Sequence, residues 1–217
     1  AFDRLALDAL RRADALIAIS EYTRGTLVES LRYPAERIHV VYRAVDAQVF
    51  RPLPVSPEFR RRHALEEGHA YVLYVGSEDP RKNVEGLIRA FALVRKEIPW
   101  ARLVKAGAAH FDAERGRLTG LVQALGLQGE VCFLDHVSDE DLPLLYNAAQ
   151  VLVLPSYYEG FGLPALEAMS CGTPVVASNR ASLPEVVGDG GALVDPDDTA
   201  GMARAIAALL TDQGRRE

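Results

Sequence analysis

The chain has 217 residues and a formal net charge of −6, with 49% apolar and 25% charged residues. That length can bury one large core or two smaller ones, and the composition is that of an ordinary globular protein. The acidic balance argues against a general nucleic-acid binder, no apolar run reaches transmembrane length, and no basic-then-apolar leader opens the sequence, so a cytoplasmic protein or the soluble part of one is expected.

Residues 1–12 read as a linker-like helix. Short β-rich runs then alternate with amphipathic stretches: strands are expected at Ala15–Ile19, Ile38–Val41, Tyr71–Val75, Arg102–Ala106, Val131–Leu134, Val151–Leu154, Pro174–Ala177 and Ala192–Val194. The segment Arg51–Gly68, with Pro52, Pro54 and Pro57 before a charged helix, reads as a surface excursion and not a domain boundary. A helix is expected over Val84–Glu97, with Val84, Leu87, Ile88, Phe91, Val94 and Ile98 at helical spacing and Asn83 as N-cap. A second begins at Ser138, its first turn filled by Asp139, Glu140 and Asp141, and a third is opened by Pro164. The tail from Thr211 to Glu217 is polar and expected to fray. Strand–helix alternation with nearly continuous apolar strands predicts a doubly wound α/β fold around a mostly parallel sheet, Rossmann-like and covered on both faces.

In such sheets ligands bind beyond the carboxyl ends of the strands. Those positions hold Tyr42-Arg43-Ala44-Val45-Asp46, then Gly76-Ser77-Glu78-Asp79-Pro80-Arg81-Lys82-Asn83, Gly107, Asp135-His136-Val137, and the loop around Glu159. Arg81 and Lys82 place two cations where a helix begins, against the dipole, which is reason to expect an anion there. Glu159 lies in a glycine-rich loop that follows a strand, and Glu167 about one turn into the helix after it. A strand feeding a glycine loop and a helix N-terminus builds an anion site, because unpaired amides and the helix dipole converge on it. Two carboxylates beside such a site suit a sugar joined to a phosphate. Glu167 also sits among Leu166, Ala168 and Met169, an apolar setting in which a carboxylate needs hydroxyl partners. Arg43 reads equally as a phosphate contact or a surface charge.

Asp195-Pro196-Asp197 and Asp139-Glu140-Asp141 both spell D-x-D, but each lies where a helix starts, and acids there cap without metal. His39, His63, His69, His110 and His136 show no zinc spacing, so no metal is expected. Cys132 and Cys171 each lie in apolar sequence and read as reduced, buried thiols.

The chain resembles the C-terminal, donor-binding half of retaining glycosyltransferases of family four, the group-one transferases of two-domain GT-B architecture. The resemblance runs from about Ala13 to Asp198. It rests on Ala13-Asp14-Ala15-Leu16-Ile17-Ala18-Ile19-Ser20, Val45-Asp46 with Phe50 and Pro52, Tyr74-Val75-Gly76, and Pro80-Arg81-Lys82-Asn83. The Glu159–Glu167 segment, Gly172-Thr173-Pro174-Val175, Pro184-Glu185-Val186-Val187-Gly188 and Val194-Asp195-Pro196-Asp197-Asp198 complete it. It implies that residues 1–217 form one donor-binding domain, one half of a GT-B fold, with the acceptor domain and the closing C-terminal helix absent. It also implies a nucleoside diphosphate sugar as donor substrate, no cofactor, and metal-independent transfer that retains anomeric configuration. Lys82 and Glu159 would be catalytic. The donor would be held by Gly76, Ser77, Arg81, Lys82, His136, Val137, Glu159, Gly160, Phe161, Gly162, Leu163 and Glu167: Lys82 on the diphosphate, Glu167 on the ribose, Glu159 with the Phe161, Gly162 and Leu163 amides on the sugar and distal phosphate, and the main chain near Val137 on the base. Pro80-Arg81-Lys82-Asn83 with Val104-Lys105-Ala106-Gly107 is similar to mannosyltransferases and leans toward a guanosine donor. The partner is then the missing acceptor domain or a partner chain, through which any peripheral membrane association would also come; the isolated chain is expected to bind donor without efficient transfer. Two other readings compete. One is a non-catalytic nucleotide-sugar module or an epimerase of the same architecture. The other is a dinucleotide-binding oxidoreductase domain, since Gly160-Phe161-Gly162-Leu163-Pro164-Ala165 fits G-x-G-x-x-A, though five residues separate it from the strand.

Overall fold

The computed structural model describes residues 2–109 and 112–211; His110 and the tail beyond Thr211 lie outside them. In chain order the elements are α1 (Phe2–Arg12), β1 (Leu16–Ala18), α2 (Glu21–Leu31), β2 (Ile38–Val40), α3 (Pro57–Arg62), β3 (Ala70–Val75), α4 (Val84–Glu97), β4 (Ala101–Ala106) and α5 (Asp112–Ala124). They continue with β5 (Val131–Leu134), α6 (Leu142–Ala148), β6 (Val151–Leu154), α7 (Leu163–Ser170), β7 (Val175–Ser178), α8 (Leu183–Val187), β8 (Gly191–Val194) and α9 (Thr199–Thr211). All eight expected strands form, within a residue or so of their expected ends.

Six of them make one parallel sheet in the order β5-β4-β3-β6-β7-β8. Counted from β3 this is the doubly wound order 3-2-1-4-5-6, whose direction reverses between β3 and β6. Val72, Leu73, Val151, Leu152, Val175 and Val176 are fully buried, because helices cover both faces of the sheet. Helix α4 packs with α5 and α9, while α6, α7 and α8 pack together.

Strands β1 and β2 pair only with each other. Their neighbourhood has its own small core of Leu16, Ala18, Tyr33 and Ile38. This differs from the single sheet expected from the alternation: outside the main sheet β1 is covered on one face and not two, so Ile17 is 70% exposed between buried Leu16 and Ala18 although all three are apolar.

Two other local expectations shift. The Arg51–Gly68 excursion is anchored in the main core by Phe59 and Leu65, both buried, and tied to α6 where Asn147 accepts from Leu53 N at 2.8 Å and donates to Arg51 O at 2.9 Å. Helix α6 begins at Leu142 and not Ser138, because residues 138–141 close a turn in which Asp141 N donates to Ser138 O and Oγ. Asp141 there meets His63 Nε2 at 3.0 Å, which uses that histidine and that acid structurally. Cys132 and Cys171 are free thiols, and burial pushes Cys171 up to about 11.

Candidate functional site

At the switch point the loops after β3 and β6 meet. Tyr157 N donates to Arg81 O at 2.8 Å, joining the two loops through main chain. Lys82 stands on a single 3-10 turn, Pro80–Lys82, just before α4, whose N-cap Asn83 accepts from Gly86 N at 3.1 Å and donates to Pro196 O at 3.0 Å. This turn aims Lys82 across the switch point: its Nζ lies 2.6 Å from Glu159 Oε1, which also accepts from Ser156 Oγ at 2.9 Å. Glu159 is 9% exposed. An ammonium and a carboxylate that are both largely removed from water, at the carboxyl ends of the two central strands, form a poised pair in which each partner keeps capacity for further hydrogen bonds.

Beyond Glu159 the chain enters α7 through Gly162, which caps the helix with φ 100° and no side-chain cap. Among the described residues no protein acceptor takes the N–H of Gly160, Phe161 or Gly162. These amides and the positive end of α7 face the requirement of an anion. One turn on, Glu167 is 9% exposed and its Oε2 accepts from the buried phenol of Tyr146 at 2.6 Å. Burial raises the Glu167 carboxyl above its ordinary value, opposed by the Tyr146 hydrogen bond and by the charge of Arg43. Arg43, although exposed, therefore lies near enough to act on the same carboxylate.

Gly76 ends β3 and donates to Ala106 O at 2.9 Å, while Ser77 O accepts from the buried Tyr74 hydroxyl at 2.8 Å. Gly107, at the end of β4, approaches so closely that a Cβ there would lie 2.6 Å from Gly76 O, with φ at +113°. Gly107→Ala is expected to lower stability by about 1–3 kcal/mol through backbone strain and to displace the Gly76 loop. Thermal melting checks the first effect; an unchanged midpoint would show that the two loops can separate freely.

The remaining expected residues are placed apart. Arg81 is exposed and pairs with Asp79, its Nε 3.3 Å from Oδ2, so only Lys82 of the two cations reaches Glu159. His136 and Val137 follow β5, two strands from β3, hence roughly 10 Å away at ordinary strand spacing. Asp195 and Asp197 make a turn and pair with Arg180, and Asp198 accepts from Gly201 N at 2.7 Å at the start of α9. Among the described residues no cluster of His, Cys, Asp and Glu suits a metal.

Sequence reading missed a buried charge network beneath the site. Glu78 Oε1 accepts from Lys105 Nζ at 2.9 Å and from Arg115 Nε at 2.7 Å, and Arg115 reaches on to Asp135 at 2.7 Å while lying over the Phe133 ring. Lys105 also bonds Gly107 O. Burial opposes ionisation of Glu78, but the hydrogen bonds from Arg115 and Lys105 prevail and hold its carboxyl below the ordinary range. A lysine between Val104 and Ala106 near the carboxyl end of β4 was the available signal. Tyr146, whose phenol reads in sequence like any core aromatic, is the other omission.

With this geometry in place, the sequence profile for "Glycosyl transferases group 1" matches residues 55–217, three quarters of the chain. The chain belongs to the group 1 glycosyl transferases. A second profile, "Glycosyltransferase Family 4", matches residues 1–49, the part that carries β1, α2 and β2. Curated relatives of this group 1 chain include the Escherichia coli O-antigen chain mannosyltransferase B, 38% identical over 97% of the chain and 55% of the relative. The D-inositol 3-phosphate glycosyltransferase of Salinispora tropica is 39% identical over 94% of the chain and 45% of the relative. The chain thus spans about half the length of the curated relatives it matches. Sucrose-phosphate synthase from Thermosynechococcus elongatus superposes with a TM-score of 0.84 at 34% identity, over 98% of this chain and 53% of that one. Anabaena Alr3699/HepE in complex with UDP and glucose gives 0.87 at 27% identity, over 98% and 58%. The Rossmann-like α/β fold of a GT-B glycosyltransferase half is therefore that of this group 1 domain. No helix among its described residues is long and apolar enough to cross a membrane.

Proposed function

We propose that this chain is the donor-binding half of a retaining hexosyltransferase that uses a nucleoside diphosphate sugar without a metal ion. The observation that carries the reading is the Lys82–Glu159 pair at the switch point, set beside the unpaired amides leading into α7. In this reading Lys82 contacts the diphosphate, Glu167 accepts from the ribose hydroxyls, and the Phe161, Gly162 and Leu163 amides hold the distal phosphate and the sugar. Gly76 and Ser77 border the phosphates, and His136 with Val137 borders the base.

Cleavage of the glycosidic bond leaves about three negative charges on the departing nucleoside diphosphate. Lys82 and the α7 dipole stabilise that charge as it develops, in the role that a metal fills elsewhere. Glu159 is engaged by Lys82 and by Ser156, which suits it to accept a hydroxyl of the transferred sugar and not to attack the anomeric carbon. Retention then follows from same-face attack assisted by the leaving phosphate. A mannosyltransferase among the relatives favours a mannosyl donor, and the UDP complex of a structural neighbour keeps a uridine donor as the second reading. The acceptor, a saccharide or a lipid-linked sugar, is selected by an acceptor domain or partner chain beyond these 217 residues.

Calorimetric titration with GDP, UDP, ADP and NAD, each with and without EDTA, tests this. Saturable binding of one diphosphate, GDP being expected, with no change on chelation, supports the reading. Binding of NAD with no diphosphate preference would replace it with a dinucleotide-binding domain.

A further inference from the structure

We infer that Ser20, the N-cap of α2, and Thr23 in its first turn are positioning residues for the donor, because their hydroxyls aim the Phe161 amide; the inference rests on the donor-site reading above. Both side chains come from the segment matched by the family-four profile, 140 and 137 residues from the loop they grip.

Ser20 is fully buried, with Oγ 2.8 Å from Gly160 O; Thr23 Oγ1 lies 3.1 Å from the same carbonyl. Thr23 N donates to Ser20 Oγ at 3.0 Å, and the two hydroxyls are 2.8 Å apart. One hydroxyl therefore donates to the carbonyl while its proton partner is supplied within the pair, so the carbonyl is held whichever way the protons lie. Contact is reinforced by packing, since a Cβ on Gly160 would lie 3.4 Å from Ile19 Cδ1.

The described peptides are all trans. In a trans peptide the N–H points opposite to the C=O, so holding Gly160 O toward α2 directs Phe161 N–H away from it. Ser182 Oγ lies 2.9 Å from Glu159 O and 2.9 Å from Phe161 O. The same geometry directs the Gly160 and Gly162 amides away from α8. The carbonyls of Glu159, Gly160 and Phe161 are thus each held by a hydroxyl, the outer two by Ser182 and the middle one by Ser20 and Thr23, which fixes the peptide planes between them. α2 is kept in place by Glu185, whose carboxylate accepts from Glu21 N at 3.0 Å and Tyr22 N at 3.1 Å. A carboxylate on the positive end of a helix is favourable placement. The start of α8 therefore holds both partners, Ser182 at its N-cap on the loop and Glu185 on the first amides of α2.

The test compares nucleoside diphosphate with monophosphate. The chain, Ser20→Ala/Thr23→Val and the milder Ser20→Ala are titrated with GDP and GMP and with UDP and UMP, and each is melted thermally. The expected result is about a tenfold loss of diphosphate affinity in the double variant, a smaller loss in Ser20→Ala, and unchanged monophosphate affinity in both. A merely structural role would lower the melting temperature without separating the two nucleotides. If the double variant does not fold, Ser20→Ala alone decides. Equal losses for mono- and diphosphate, or none, overturn the inference while leaving the donor site standing; a wild-type chain that binds no diphosphate overturns both.

Discussion

Lys82→Ala is expected to weaken nucleoside diphosphate binding by about 10- to 100-fold while the fold survives. The loss is that of a charge-assisted hydrogen bond, about 1.5–3 kcal/mol, made by a cation held 2.6 Å from Glu159 at the meeting of the two central loops. Removing it also leaves Glu159, which is 9% exposed, with Ser156 alone. Glu167→Ala is expected to give a similar loss by a different route, since it deletes the proposed ribose acceptor and strands the buried Tyr146 hydroxyl. The two differ in their response to pH. Because burial raises the Glu167 carboxyl above its ordinary value, wild-type affinity should fall as the pH drops through that raised value and the acceptor takes up a proton. Glu167→Gln should flatten this fall, whereas Lys82→Ala should keep it. Calorimetry across the acid range reads all three; affinity that stays constant in both alanine variants would sink the site assignment.

The largest effect on stability is expected at Lys105. This ammonium is 1% exposed, its partner Glu78 2% exposed, and Arg115 completes the network from α5. Removing one member of a buried pair costs about 3–5 kcal/mol where the other charge is left uncompensated, and because Glu78 keeps Arg115 the lower end of that range is expected here. Lys105→Met should therefore lose stability of that order in a urea titration, whereas Lys105→Met/Glu78→Gln should recover much of it. The pH dependence has a definite sign. Glu78 is depressed below its ordinary value in the folded chain, so its contribution is present above the unfolded value near 4.5 and is lost as the pH falls through the lower folded one. Without Lys105 the desolvation of Glu78 is less opposed, its folded value rises, and acid unfolding should begin at higher pH. A single variant as stable as wild type would mean that Arg115 alone compensates Glu78. Because Lys105 also bonds Gly107 O, whose residue touches Gly76, the single variant should loosen the loop that carries Lys82.

Much of the site was legible from local pattern. Val151–Leu154 is a continuous apolar run, and a run of that kind becomes a strand buried on both faces. Pro164 marks the start of α7, and Asn83 caps α4 as its side chain predicts. Glu167 announced itself as a carboxylate in apolar surroundings, and it is buried. Arg81 and Lys82 looked equivalent because they are adjacent, but a 3-10 turn sends one inward and leaves the other on Asp79. Tyr146 looked like an ordinary core residue, since a phenol buried for packing and one buried to serve a carboxylate read alike in sequence.

By itself the sequence determined where strands and helices lie, which residues could carry charge at strand ends, and the family. Those depend on the period of apolar residues and on short motifs, which act over a few positions of chain. Tertiary structure alone decided that β3 lies beside β6, that β1 and β2 leave the main sheet, and that Lys82 meets Glu159 across 77 residues. It alone brought Ser20 to Gly160 across 140 residues and Lys105 to Glu78. Such pairings are set by which apolar faces bury each other most completely, and a buried charge or hydroxyl takes its partner from whatever that packing leaves within reach.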